Sequence, residues 1–129
     1  MSVVKKQAAY MRGVEAEQAA ARYLRRKGYE ILEHRYKTPV GEIDLIVRRG
    51  DMIVFAEVKA HKSEEQALYA VNEKARRRIE AAAGHYIAYH EEIAALVMRF
   101  DVLIVSPGLS TLLGAVCIRH LDNAWLAGQ

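Results

Sequence analysis

The sequence predicts an α/β domain: a mixed β-sheet covered by helices. Three observations carry this. Two helical patterns flank a block of strand patterns. Strand patterns resume after the second helix. The third is an unbroken composition over 129 residues, 52% hydrophobic and 27% charged, which fits one domain with a buried core. The chain reads as one unit, residues 1–129, with its core from about Gly13 to Trp125.

Each element follows from local pattern. Val14 to Lys27 carries Ala16, Ala19, Ala20, Tyr23 and Leu24 at helical spacing. Gly28 is a stop signal, and Arg25, Arg26 and Lys27 suit the negative end of the helix dipole. Tyr29 to Tyr36 reads as a strand. Glu42 to Arg48 and Met52 to Lys59 alternate or run apolar around Arg49-Gly50-Asp51, so they read as a hairpin. Asn72 is placed to cap a long helix whose buried stripe is Val71, Ala75, Ile79, Ala82, Ala83, Tyr86 and Ile87. Leu96 to Val105 and Ala115 to Leu121 complete the strands, separated by the stop Pro107-Gly108. The expected order is helix, three strands, helix, two strands.

Composition narrows the function. Lys and Arg number 19 against 16 Asp and Glu, a formal net charge of +3. That mild basicity is compatible with an anionic partner such as nucleic acid. One cysteine, Cys117, excludes an internal disulfide and a cysteine-based zinc site, and suits the reducing cytoplasm. No apolar run approaches bilayer length, so no membrane association is expected. The five histidines lack metal-ligand spacing; His61 is notable only for lying two residues past Lys59. Phosphate-cradling glycine loops, nucleophile elbows and dinucleotide fingerprints are missing from the sequence.

The chemistry-bearing stretch is Gly41-Glu42-Ile43-Asp44-Leu45 with Phe55-Ala56-Glu57-Val58-Lys59. Residues two apart on a strand share a face. With a two-residue loop at Gly50-Asp51, Asp44 lies directly opposite Glu57. Opposed like charges destabilise a sheet. A divalent cation would relieve them, and oxygen ligands suit Mg²⁺ or Mn²⁺. Lys59 would add a positive charge for a phosphate. The group suits phosphodiester hydrolysis. The same alternation also describes a hairpin with one wet face, Lys59 pairing with Glu57 or Glu42. A three-residue loop would put Asp44 and Glu57 on opposite faces. Spacing leaves these alternatives open.

At these residues the chain resembles a known family. Gly41-Glu42-Ile43-Asp44-Leu45-Ile46 followed by Val54-Phe55-Ala56-Glu57-Val58-Lys59 is similar to the signature of the bacterial YraN-like family. Those proteins belong to the restriction-endonuclease-like, PD-(D/E)xK superfamily and are distant relatives of archaeal Holliday-junction resolvases. Gly13-x-x-x-Glu17, Lys27-Gly28-Tyr29, Ala70-Val71 with Lys74, and Arg99-Phe100-Asp101-Val102 extend the resemblance over most of the chain. It implies a restriction-endonuclease-like fold and an Mg²⁺- or Mn²⁺-dependent endonuclease acting on DNA, branched or structured DNA included. Asp44 and Glu57 would be metal ligands, Lys59 the catalytic lysine, and Glu17 a helical glutamate reaching the site. Glu42 is a further acidic candidate without an assigned role. Two departures stand out: Ile43 occupies the superfamily's proline position, and Ala60-His61 replaces Thr-Arg, with an altered loop from Lys62 to Leu68.

Basic residues cluster at Arg22, Arg25, Arg26, Lys27 and at Lys74, Arg76, Arg77, Arg78. Lys74, Arg77 and Arg26 are the expected nucleic-acid contacts, each neutralised phosphate contributing salt-dependent affinity. A solvated helix face is the competing reading. A non-catalytic nucleic-acid-binding or protein-interaction module on the same fold is the competing function. Monomer and homodimer stay open, although symmetric junction cleavage would need two sites.

Overall fold

The computed structural model describes residues 3–60, 63–107 and 116–129. The chain runs α1 (Val3–Arg26), β1 (Glu30–Thr38), β2 (Gly41–Arg49), β3 (Met52–Ala60), α2 (Glu64–Ala70), α3 (Glu73–Ala88), a 3-10 turn (Glu91–Ile93), β4 (Val97–Pro107) and β5 (Val116–Trp125). One five-stranded sheet has the order β1-β2-β3-β4-β5. Only β3 and β4 pair in parallel; the other neighbours are antiparallel. The sheet is therefore mixed, as the sequence predicts.

Two apolar clusters sandwich this sheet. On one face α1 lays Ala16, Ala19, Ala20 and Leu24 against Leu45, Val47, Val54, Ala56, Val58 and Leu103. Alanines along that stripe let the helix axis approach the strands closely. On the other face α2 and α3 lay Ala67, Val71, Ile79, Ala82 and Tyr86 against Ile46, Ile53, Phe55, Phe100 and Val102. β3 is central and apolar on both faces, so its sequence runs almost without polar interruption from Ile53 to Ala56. Trp125 is buried here and stacks on Phe100 with ring centroids 5.0 Å apart.

Element ends follow capping chemistry. α1 closes in a Schellman motif: Tyr29 N–H donates to the Leu24 carbonyl and Gly28 N–H to that of Arg25, with Gly28 at φ 90°. Asn72 caps α3, its side chain accepting from Ala75 N–H at 3.0 Å. Residues 41 and 78 meet backbone to backbone. A Cβ on Gly41 would lie 2.1 Å from the Arg78 carbonyl oxygen, so β2 enters the sheet beneath α3 only as glycine.

The structure departs from the expected elements in four places. α1 begins at Val3, upstream of the expected Val14; Gly13 lies inside it. α2 is an additional helix where the sequence reading placed an altered loop from Lys62 to Leu68. Its signal is Ser63-x-x-Gln66, in which the Ser63 hydroxyl accepts from Gln66 N–H at 3.0 Å. β1 extends to Thr38. β5 continues past Leu121 to Trp125, because a register irregularity and Asn123 at φ 51° absorb the turn-like Asp122-Asn123. His61, Lys62, Gly108 and Ala115 lie outside the described residues.

Asp101, the one charged residue among those described that is fully buried, is completely paired. Arg99 Nε and Nη2 donate to its two oxygens at 2.7 and 2.8 Å, His120 Nε2 lies at 2.6 Å, and Asn123 N–H donates at 3.0 Å. Burial by itself would raise its pKa, but the bonds from His120 and Arg99 outweigh that and hold the carboxyl below its usual range.

Gly41→Ala should cost about 1–3 kcal/mol in denaturant unfolding, because backbone must move to admit the methyl group. Gly84→Ala is the matched control. A Cβ there meets nothing within 4 Å in an exposed helix interior, and the expected change is a gain of about 0.5–1 kcal/mol.

Candidate metal and phosphate site

β2 and β3 are joined by the two-residue loop Gly50-Asp51, Arg49 pairing with Met52. Gly50 supplies φ 62°, the positive value a tight hairpin loop demands at its first position. The ladder's last registered pair is Leu45 with Ala56. Asp44 and Glu57 stand one step beyond, across from each other.

At Asp44 the ladder gives way. On the β1 side the same register holds on either side of this point, His34–Leu45 and Tyr36–Ile43, with Arg35 between them at φ 50°. Simple alternation fails at the same point: Ile43 and Ile46, three apart, belong to one core cluster while Leu45 and Val47 belong to the other. This irregularity lets the Asp44 carboxylate take a ladder-like bond, its Oδ2 accepting from Val58 N–H at 2.8 Å. Asp44 is thereby fixed to the backbone that carries Glu57 and Lys59.

Glu57 is nearly buried, its side chain 14% exposed, and Lys59 Nζ lies 3.6 Å from its Oε2. Burial raises the Glu57 pKa first, the neighbouring Asp44 raises it further, and Lys59 opposes both; the carboxyl is pushed up to about 9. The pair thus holds a proton where two bare carboxylates would repel. Both expectations about this hairpin hold: the two-residue loop and the juxtaposition of Asp44, Glu57 and Lys59. The alternative pairing of Lys59 with Glu57 is also present, so both features coexist.

Glu17 is placed differently from its sequence-stated role. Its Oε2 accepts from Arg35 Nε at 2.6 Å. Burial raises its pKa; Arg35 lowers it, and Asp44 and Glu42 raise it again, so Glu17 shares the field of the site. It does not join Asp44 and Glu57 in a ligand cluster. Among the described residues no three His, Cys, Asp or Glu side chains converge to hold a metal ion by themselves. Glu42 is exposed and stands opposite Lys37 on β1.

The expected nucleic-acid contacts do not form one patch. Lys74 is exposed on α3. Arg77 lies one turn on, but its guanidinium donates to Glu73, Glu80 and the Gln129 carbonyl. Arg26 is exposed on α1, which covers the opposite face of the sheet.

Residues 16–105 match the family described as Uncharacterised protein family UPF0102. A UPF0102 protein of Rhodopseudomonas palustris is 40% identical over 124 residues, covering 96% of this chain and 90% of that one. The chain belongs to this family. Other members are similar over a shorter span: one from Bradyrhizobium diazoefficiens is 47% identical over 78% of this chain and 75% of its own, and one from Chelativorans is 48% identical over 79% and 82%. The UPF0102 family is the YraN-like family of the motif resemblance and falls within the restriction-endonuclease-like superfamily. Its matched span includes Glu17, Asp44, Glu57, Lys59 and the Arg99–Asp101 pair. None of the described helices is long and apolar enough to cross a membrane.

The Glu57 shift has a stability signature. Its pKa rises from 4.5 unfolded to about 9 folded, so between those values the native state holds a proton that the unfolded state has lost. Stability is then fully present below the unfolded value and falls as pH rises through the window. The slope should approach about 1.4 kcal/mol per pH unit at most. Glu57→Gln should flatten it, as read by denaturant unfolding in chelator-treated buffer. An equally steep fall in the variant would assign the pH dependence elsewhere.

Proposed function

We propose that this UPF0102 protein is a metal-dependent endonuclease hydrolysing DNA phosphodiester bonds, with branched or structured DNA as its substrate class. The observation that carries the reading is the convergence of Asp44, Glu57 and Lys59 at a break in the ladder. A sheet gains nothing from opposing two carboxylates there, and the repulsion together with burial raises the Glu57 pKa.

The donor set fits Mg²⁺ or Mn²⁺. These ions commonly take one or two carboxylates and complete their shell with water and substrate phosphate. Two carboxylates without a third therefore suit them better than they suit a dedicated protein cage. Asp44 and Glu57 are the residues that would hold the ion. When bound, it would withdraw charge from the scissile phosphate and make water a better nucleophile.

The protein's own groups have separable tasks. The Val58 amide keeps Asp44 oriented, so the ligand geometry is set before substrate arrives. Glu57 would hold the ion as a carboxylate, having given its proton to solvent. Lys59, 26% exposed in its side chain, presents an ammonium toward solvent beside Glu57. There it would meet a phosphate oxygen and stabilise the charge that develops on it. Glu17 acts through Arg35 as a positioning pair at the margin of the site. Lys74 on α3 and Arg26 on α1 would reach flanking phosphates. The cytoplasm is the compartment we assign, where DNA is available and the exposed thiol of Cys117 stays reduced.

One observation favours a second reading, a non-catalytic nucleic-acid-binding module: the third carboxylate, Glu17, is tied to Arg35.

Calorimetric titration with Mg²⁺ and Mn²⁺, with and without a four-way DNA junction, separates the two. The nuclease reading expects saturable binding that is lost in Asp44→Asn. It also expects cleavage of linear, flapped or four-way DNA that falls about 10²–10³-fold in Lys59→Ala. Salt-sensitive DNA binding without metal binding or cleavage would establish the module instead.

A further inference from the structure

A second polar cleft lies away from the carboxylate pair, on the α1 face between the end of α1 and β5. Its volume is about 380 Å³. Its cations Lys27, Arg49 and Arg99 sit where α1 and β2 end and β4 begins, and Arg119 adds a fourth from β5, paired with Glu64. Asp44, Glu57 and Lys59 belong instead to the end where β3 finishes.

The first three cations are positioned rather than loose. Arg49 stacks on the Tyr29 ring, its Cζ 4.4 Å from the centroid, and donates from Nη1 to the Lys27 carbonyl at 3.1 Å. Lys27 Nζ lies over the Tyr23 ring at 5.0 Å. Arg99 is held by Asp101 and donates from Nη2 to Tyr29 Oη at 2.9 Å. No carboxylate of a described residue lies within ion-pair distance of Lys27 or Arg49. Asp101 is consumed beneath the floor, so Asp122 is the only other acid lining the cleft and its local charge is positive.

The floor adds further hydrogen-bonding groups, Tyr23 and His120. His120 Nε2 lies 2.6 Å from Asp101, and its Nδ1 lies 3.2 Å from Tyr23 Oη. The Tyr23 ring and hydroxyl in turn face Lys27.

We propose that this cleft is a binding site for a phosphate monoester. The Arg49 guanidinium and the Lys27 ammonium, neither paired with a carboxylate of a described residue, match the charge and donor demand of a phosphoryl group at a concave polar surface. The volume is in the range of small-ligand pockets. Recognition is through the phosphoryl group and not a base, because the protein's own cations already cover the Tyr23 and Tyr29 rings. The ligand is a free phosphate or nucleotide, or the 5′-phosphorylated end of a strand. This site is independent of the metal reading.

The test is calorimetry in chelator with four probes: inorganic phosphate, adenosine 5′-monophosphate, and one short single-stranded oligonucleotide with and without a 5′-phosphate. Saturable binding is expected for phosphate-bearing probes, weakened at least about tenfold in the double variant Lys27→Gln/Arg49→Gln. Lys37→Gln/Arg78→Gln removes the same net charge elsewhere and should bind as the parent does. The tightest phosphate-bearing probe identifies the source. Both double variants alter exposed or half-exposed side chains, and matching thermal melts would certify their folds. The proposal is overturned by no saturable binding of any probe. Equal weakening in the two double variants would overturn it too, as would oligonucleotide binding indifferent to the 5′-phosphate with no inorganic phosphate binding.

Discussion

The register of β2 against β3 is the constraint on which the rest depends. A two-residue loop leaves no freedom: side chains alternate with period two, and a slip of one residue would exchange the two faces of β2. Leu45 and Val47 would leave the α1 cluster and Ile46 the α3 cluster. Burial on both faces therefore enforces the register far more strongly than the turn alone. The electrostatic conflict between Asp44 and Glu57 is tolerated because hydrophobic packing has already decided where those strands must lie.

A break in regular structure then converts that conflict into a site. Were β2 to pair regularly through Asp44, Val58 N–H would be free to seek a backbone carbonyl and the carboxylate could turn to water. The change of face between Ile43 and Leu45, opposite Arg35 at positive φ, removes that option. Positive φ is strained for a side-chain-bearing residue, and the ion pair with Glu17 helps hold it. α1 thus contributes to the site indirectly, by fixing the irregular strand from above.

Much of this was legible in the sequence, and the limits have physical causes. The hairpin and the shared face of Glu57 and Lys59 follow from period-two patterning, which is a local property, whereas the loop length that sets Asp44 opposite Glu57 was one of two alternatives the spacing allowed. The cap at Asn72 and the stop at Gly28 are local too. α2 was also written locally, in Ser63-x-x-Gln66, but seven residues offer too little periodicity to outweigh the polar start of the segment. Glu17 could be placed on a helix but not matched to Arg35, because a left-handed arginine leaves no pattern. The Asp101 assembly was the least legible. Arg99-Phe100-Asp101 reads as a strand fragment, while its partners Tyr29, Tyr23, His120 and Asn123 come from distant elements and meet only in the folded chain.

The late arrival of those partners has a consequence for the protein during its synthesis. The carboxylate hairpin is complete within a short stretch of chain, so a nascent polypeptide can form it as soon as β3 emerges from the ribosome. β4 is different. It must reach back across α2 and α3 to lie parallel to β3, and it brings Asp101 into the interior with only Arg99 beside it. His120 and Asn123, which complete its pairing, come only with β5. Burying an incompletely paired carboxylate is unfavourable, so stable docking of β4 waits for β5. The acidic hairpin can therefore form before the sheet that supports it closes, and that closure depends on the groups the last strand supplies.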